Sequence, residues 1–283
     1  MNSLPKLPVS EWIEGITESA KNGGQGFFKG VRTVGNGLIN GLESLLTSMP
    51  HLVFIIVLTA LALFLKRKKK QWGLGVFVFI GLMFVENQGL WDDFMSTLSL
   101  ILVSSFFAVL IGIPLGILAG RKDTAEAILK PILDFMQTMP AFVYLIPAVA
   151  FFGIGVVPGM VASIIFALPP TVRFTSLGLR QIPEELDEAA VSFGATSAQK
   201  LFKVELPLAK STIMAGINQT VMLSLSMVVI ASMIGAPGLG RQVVSSLQKA
   251  DVGPGFVAGL SIVVLAIITV SYTHLTLPTN REV

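Results

Sequence analysis

Seven stretches of this chain are apolar over lengths that approach or reach what a helix needs to cross a bilayer. A hydrocarbon core of about 30 Å takes about 20 residues. The stretches cover residues 49–65, 72–85, 94–120, 128–152, 156–177, 211–234 and 256–270. The second is short, and a tilt or an extension through Glu86 to Leu90 completes it. A chain built this way uses lipid as part of its solvent. Of its 283 residues 53% are hydrophobic and 13% are charged, about half the usual charged fraction of roughly 25%. The expected fold class is an all-α integral membrane protein with about seven spans.

Composition excludes several functions. The net charge of +3 does not indicate nucleic acid, because the basic residues cluster beside apolar runs and form no stripe. Without cysteine there is neither a disulfide framework nor thiol chemistry. His51 and His274 are too few for a histidine-based metal site. The first 48 residues hold no continuous apolar segment of signal-peptide type, so the chain is expected to enter the membrane through its own spans.

Lysines and arginines flanking spans stay on the cytoplasmic side. Lys66, Arg67, Lys68, Lys69 and Lys70 lie between the first two spans. Alternation from there puts Arg121, Lys122, Lys130, Arg180, Lys200, Lys203 and Lys210 inside. The loop 86–93, without lysine or arginine, falls outside. This predicts an outside N-terminus and a cytoplasmic C-terminus.

In the N-terminal segment, residues 1–48, Phe27, Val31, Val34, Leu38, Leu42 and Leu45 recur at steps of three and four. They draw one stripe of an amphipathic helix. Lys29, Arg32, Asn36, Asn40 and Glu43 lie off it. Glycines 30, 35, 37 and 41 weaken the helix. It needs outside contact, either with the outer membrane surface or with the bundle. At the other end, residues 271–283 (SYTHLTLPTNREV) break off the apolar run with polar and turn-forming residues. They look like a non-native tail, and His274 and Arg281 are set aside with them.

The loop 179–210 carries the strongest functional signal. Pro183 suits a helix start, and Gly194 can take the left-handed conformation that ends a helix. Thr196 and Gln199 have capping-box spacing for a second helix. Two short helices and a turn are predicted, with Pro207 opening the sixth span. The small Ala189 and Ala190 allow a partner to come close. The spacing of Glu188-Ala189-Ala190, Gly194 and Leu206-Pro207, with Val204 where isoleucine is usual, resembles the loop of binding-protein-dependent ABC importer permeases. That resemblance implies that Glu188, Ala189, Ala190, Gly194, Leu206 and Pro207 couple the membrane helices to an ATPase subunit.

A closer resemblance spans about residues 90 to 270. The stretches 133–144, 153–159, 215–219 and 234–240 are similar to glycine betaine/proline betaine permeases. This implies a transmembrane subunit that moves a quaternary-amine osmoprotectant across a bacterial cytoplasmic membrane. It divides the chain into two N-terminal transmembrane helices at 49–90 and a permease core at 91–270. The sequence holds no glycine-rich loop ending in Gly-Lys-Ser/Thr and no fused binding domain. The chain is thus expected to be no enzyme and to hold no cofactor. ATP and Mg would be bound by a separate ABC ATPase subunit, with a separate substrate-binding protein, a second copy of the chain and membrane lipid as further partners. Other cargoes (choline, carnitine, methionine) and a secondary transporter or channel remain as alternatives.

Weaker signals complete the expectations. Gly112, Gly116 and Gly120 have the spacing of close helix packing in lipid. Met136, Met139, Phe142 and Tyr144 offer soft and aromatic faces to a quaternary ammonium group along a translocation pathway. Asp134 and Arg173, at the inner ends of the fourth and fifth spans, are candidates for an ion pair. Local pairing of Asp134 with Lys130 is the alternative. The glycine-rich stretch 235–240 is expected to be a flexible outer turn.

Overall fold

The computed structural model describes residues 7–65 and 72–275, and among them it is helical with short connections. The basic run 66–70 and residues 276–283, Arg281 included, lie outside the described residues, as does the side chain of His274. The helices are α1 (Val9–Gly23), α2 (Gln25–Thr47), α3 (His51–Leu65), α4 (Trp72–Asn87), α5 (Trp91–Arg121), α6 (Asp123–Thr138), α7 (Leu145–Phe152) and α8 (Val156–Arg180). They continue as α9 (Glu184–Ser192), α10 (Ser197–Lys200), α11 (Leu206–Ala231), α12 (Leu239–Lys249) and α13 (Val252–Leu275).

At the centre α8 packs between α5 and α11. Apolar side chains cannot drive helices together inside lipid, so close van der Waals approach must do it. The sequence supplies small residues on both seams. Gly112, Gly116 and Gly120 of α5 face Thr171, Thr175 and Leu179 of α8, so these two helices run parallel. Gly178 meets Ala209 and Thr212, and Gly216 meets Phe174, so α11 runs antiparallel to α8. The buried Thr171 and Thr220 hydroxyls join across the second seam at 2.6 Å, and Thr220 also donates to the Ala167 carbonyl at 3.0 Å. On the flank, Gly81 of α4 packs on Val264 of α13, and Gly75 of α4 on Leu63 of α3.

Among the described residues four helical stretches are long and apolar enough to cross a membrane, or six if each of two bent pairs counts as one. The helix Trp72–Asn87 is apolar but shorter. The expected fourth span, 128–152, is corrected most. It is not one helix: α6 and the stretch Ala141–Phe152 meet at 109°. Met139, the residue before Pro140, is extended (φ −71°, ψ 134°), as a residue before proline prefers. The Tyr144 hydroxyl donates to the Met136 carbonyl freed there, which lets the chain bend fully. The first expected span also meets its predecessor abruptly, since α2 and α3 are turned by 93° at Pro50.

Around α2 the contact that appears is the one with the bundle. Phe28, Val31, Leu42 and Leu46 pack against the core, Ile39 is buried, and Gly35 sits under Met160 and Val157 of α8. Phe27, Val34, Leu38 and Leu45 remain exposed. The helix α1 precedes the stretch predicted from Phe27 onward, and its Val9, Trp12, Ile13 and Ile16 are exposed.

Three further differences follow from tertiary contacts. The stretch 235–240 is packed. Ala236 and Leu239 are fully buried, the Leu239 N–H donates to Thr97 Oγ1 at 2.9 Å, and Gly155 N–H donates to the Ile234 carbonyl at 2.9 Å. Beyond it α12 is an unpredicted helix, fastened by Gln242 to Asp93 of α5 at 2.7 Å. Finally, α13 does not stop at Val270. It continues to Leu275, and the Tyr272 hydroxyl donates to the Leu58 carbonyl of α3.

Candidate functional site

The loop singled out by spacing forms a projecting helix, α9, at the end of the bundle where α5 and α8 finish. Pro183 precedes it with an extended backbone (φ −57°, ψ 136°). At its far end the Phe193 N–H returns to the Ala189 carbonyl at 3.0 Å. Gly194 then takes φ +76°, a conformation costly for residues with a Cβ. Its N–H donates to the Val191 carbonyl at 2.9 Å, and Ala195 N–H donates to the Ala190 carbonyl at 3.0 Å. The turn ends in a reciprocal cap. Gln199 N–H donates to Thr196 Oγ1 at 3.3 Å, and Thr196 N–H to Gln199 Oε1 at 2.9 Å. Two orphan donors at the start of α10 are thereby satisfied.

The second short helix does not stand apart, contrary to expectation. Residues Ser197–Ile234 run on as one helical stretch, within which Pro207 stands in the first turn of α11, as expected. Leu201–Glu205 widens to a π turn, in which Leu206 N–H reaches the Leu201 carbonyl five residues back. Proline lacks an N–H and its ring crowds the carbonyl four residues earlier. A widened turn immediately before Pro207 accommodates both without ending the helix. Leu206 is half-buried beside Leu179, Ala209 and Ile213, and Pro207 is exposed.

Glu188 and Ala189 are exposed, and Ala190 is half-buried. Around them the structure adds two residues that the spacing argument missed. Leu186 and Phe193 are exposed, Phe193 by 92%. Residues 186, 189, 190 and 193 stand at steps of three, four and seven, which places them on one helical face. The signal was available in the apolar periodicity around the alanine pair. Leu186, Ala189 and Phe193 of this face are exposed.

Just before α9, Arg180 fastens the end of α8 to its neighbours. Arg180, at the end of α8, donates to the Ala119 carbonyl at 2.8 Å and to Asp123 at 2.9 Å, and pairs with Glu126 at 2.9 Å. One guanidinium thus ties α8 to the last turn of α5 and the first of α6. Beside it, Arg173 and Asp134 are brought together as an ion pair. Both are partly exposed, at 40% and 52%. A cavity of about 250 Å³ between α6 and α8 is lined by Lys130, Arg173, Leu129 and Leu133.

Met136, Met139, Phe142 and Tyr144 gather around the break at Pro140 and differ in exposure. Phe142 is exposed, while Met136 and Met139 are half-buried. Tyr144 is buried, with its hydroxyl on Met136 and its ring edge-to-face with Phe166 at 5.7 Å. Among the described residues no cluster of three or more histidine, cysteine or acidic side chains has the arrangement of a metal site.

The opposite end of the bundle is fastened by other contacts. Glu43 of α2 accepts from Ser96 of α5. His51, Glu86 and Trp91 join α3, α4 and α5, with His51 Nδ1 at 2.9 Å from Glu86 and its ring stacked on Trp91 at 4.7 Å.

Known proteins are similar to this chain over most of its length. The glycine betaine/carnitine transport permease protein GbuB of Listeria monocytogenes is 53% identical over 95% of both chains. The glycine betaine transport system permease protein OpuAB of Bacillus subtilis is 47% identical over 94% of this chain and 93% of its own. Among solved structures, the inward-facing MetNI methionine ABC transporter superposes with a TM-score of 0.55 at 26% identity. That match covers 65% of this chain and 91% of the other. Residues 112–278 match the family described as the binding-protein-dependent transport system inner membrane component. This chain belongs to that family, the membrane-spanning permease subunits of ABC importers, in which a separate ATPase hydrolyses the ATP.

Proposed function

We propose that this permease moves glycine betaine or a closely related quaternary-amine osmoprotectant, and that α9 is its docking element for the ATPase. The cargo follows the transport for which the two relatives above are named, and these match nearly the whole chain. The observation that carries the docking role is the face of α9 that exposes Leu186, Ala189 and Phe193 around the half-buried Ala190. Ala189 and Ala190 on it belong to the family spacing, and it lies next to Gly194 in its positive-φ turn. Small residues let another protein approach the backbone, and an exposed phenylalanine supplies an anchor.

In this reading α9 faces the cytoplasm and α2 lies at the outer face, where a substrate-binding protein delivers cargo. Two copies face one another, since cyclic pairs are the commonest closed assemblies. Met136, Met139 and Phe142, at the break near Pro140, line the route. Irregular backbone at membrane depth is tolerated where it is covered by protein or borders a cavity. Tyr144 belongs to the same route as the residue that holds the break together.

The test is reconstitution with the ATPase and the binding protein. Glycine betaine uptake is measured beside ATP turnover, with and without loaded binding protein. Gly194→Val strains a positive-φ turn, and Ala189→Trp blocks close approach. Both variants should insert normally yet lose the ATPase, or lose stimulated turnover and uptake together. Normal coupling in both would remove α9 from this role, and wild-type protein that transports other solutes but no betaine would remove the cargo.

A further inference from the structure

We infer that Glu205 is the joint that passes movement of α9 to two membrane helices at once, as a positioning residue within the coupling reading proposed above. Its place in the chain is the first observation. Glu205 is the last residue of the π turn between α10 and α11. Wide turns of this kind recur at functional sites. The capping box at Thr196 binds the turn after α9 to α10, and helix continues from there through the wide turn into α11. Displacement of α9 therefore arrives at the turn through hydrogen-bonded structure and not through a slack loop.

The second observation is what Glu205 holds. It is a carboxylate with only 8% exposure. Arg121, the last residue of α5, donates from Nη2 to Glu205 Oε1 at 3.3 Å. Its Nε lies 3.2 Å from Oε2, an ion-pair contact. The same Nη2 donates to the Ser197 carbonyl at 3.2 Å, so one guanidinium grips both the first turn of α10 and the wide turn. From the other side Lys200 Nζ stands 3.7 Å from Oε1. Glu205 thus joins α11 covalently and α5 electrostatically, and α5 and α11 are the two helices that flank α8.

The third observation is room to move. A polar pocket of about 290 Å³ opens beside the joint, lined by Arg121, Lys200, Glu184 and Glu205. Glu184 is the first residue of α9, so the pocket separates the base of the docking helix from the joint. A buried ion pair is a poor device for stability, because desolvation offsets attraction. It is a good device for fixing the relative position of two elements, which is what transmission requires.

The experiment uses the assembled complex with Glu205→Gln, Arg121→Gln, the double variant and Glu205→Asp. Glu205→Gln keeps size and removes the charge that holds Arg121 and Lys200. The ATPase should co-purify normally and turn over ATP at the wild-type rate without binding protein. Stimulation by loaded binding protein should fall about fivefold or more, the range of coupling between distant sites. Arg121→Gln should act alike, the double variant should be no worse than either single one, and Glu205→Asp should recover part of the stimulation. If Glu205→Gln does not fold, Arg121→Gln carries the same expectation at a half-exposed position. Wild-type stimulation in the single variants, loss of the ATPase from the complex, or additive losses in the double variant would overturn the joint. Gly194→Val and Ala189→Trp run in parallel separate the two ideas. If they stay coupled, the docking reading fails. If they uncouple while Glu205→Gln does not, only the joint fails.

Discussion

The seam between α5 and α8 makes a quantitative prediction at Gly116. A Cβ added there would stand 2.5 Å from Thr175 Cβ and 2.7 Å from the Val172 carbonyl oxygen. Carbon atoms in contact prefer about 3.5–4.0 Å, so the overlap is about 1 Å. Neither neighbour can step aside. A carbonyl belongs to the helix backbone, and the Cβ of fully buried Thr175 does not move with its rotamer. The two helices must separate, which also loosens Gly112 on Thr171 and Gly120 on Leu179 along the same seam. Overpacking of this kind costs about 3 kcal/mol at the upper end of its range. The better helix propensity of alanine returns about 1 kcal/mol. Gly116→Ala should therefore lose about 2 kcal/mol, which lowers Tm by roughly 4–8 °C on the scaling for chains of comparable size. Gly37→Ala on α2 is the control, since nothing lies within 4 Å of its added Cβ. It should gain about 0.5–1 kcal/mol. The assay is thermal unfolding of the purified proteins in one detergent. Equal stability of Gly116→Ala and wild type, or equal losses at the two positions, would refute the packing argument.

The Asp134–Arg173 pair should contribute little, because both side chains are about half exposed. A double-mutant cycle with Asp134→Asn and Arg173→Gln should give a coupling of about 0.2–1 kcal/mol, and a value several times larger would mean the pair is shielded within the assembly. The orientation can be tested directly, since the chain has no native cysteine to remove. Ser10→Cys in intact cells should react with an impermeant thiol reagent, whereas Ser197→Cys should react only after the membrane is opened. The reverse pattern would turn the protein over and place α9 on the wrong side for an ATPase.

Much of this molecule is written locally. Long apolar runs with few charges demand a bilayer whatever their partners, so the helical membrane class was legible without coordinates. The glycines at 112, 116 and 120 announced close packing through their spacing, because a missing side chain permits close approach whichever helix arrives. Gly194 and the Thr196–Gln199 cap were equally legible, since a positive φ and a capping box are satisfied within a few residues. What the sequence could not decide depended on distant atoms. Pro140 and Pro207 look alike as helix breakers, yet one bends the chain by 109° and the other sits inside a continuous helix. The difference lies in who answers the disrupted hydrogen bonds: the Tyr144 hydroxyl covers Met136 at the first, and the π turn takes up the strain at the second. The stretch 235–240 has the composition of a loose turn, and only Thr97 and the burial of Ala236 and Leu239 make it rigid. Glu205 was one acidic residue among several in a charged loop. Its role becomes visible only when the end of α5 brings Arg121 to it, because periodicity sets which face a residue occupies while tertiary packing sets what that face meets.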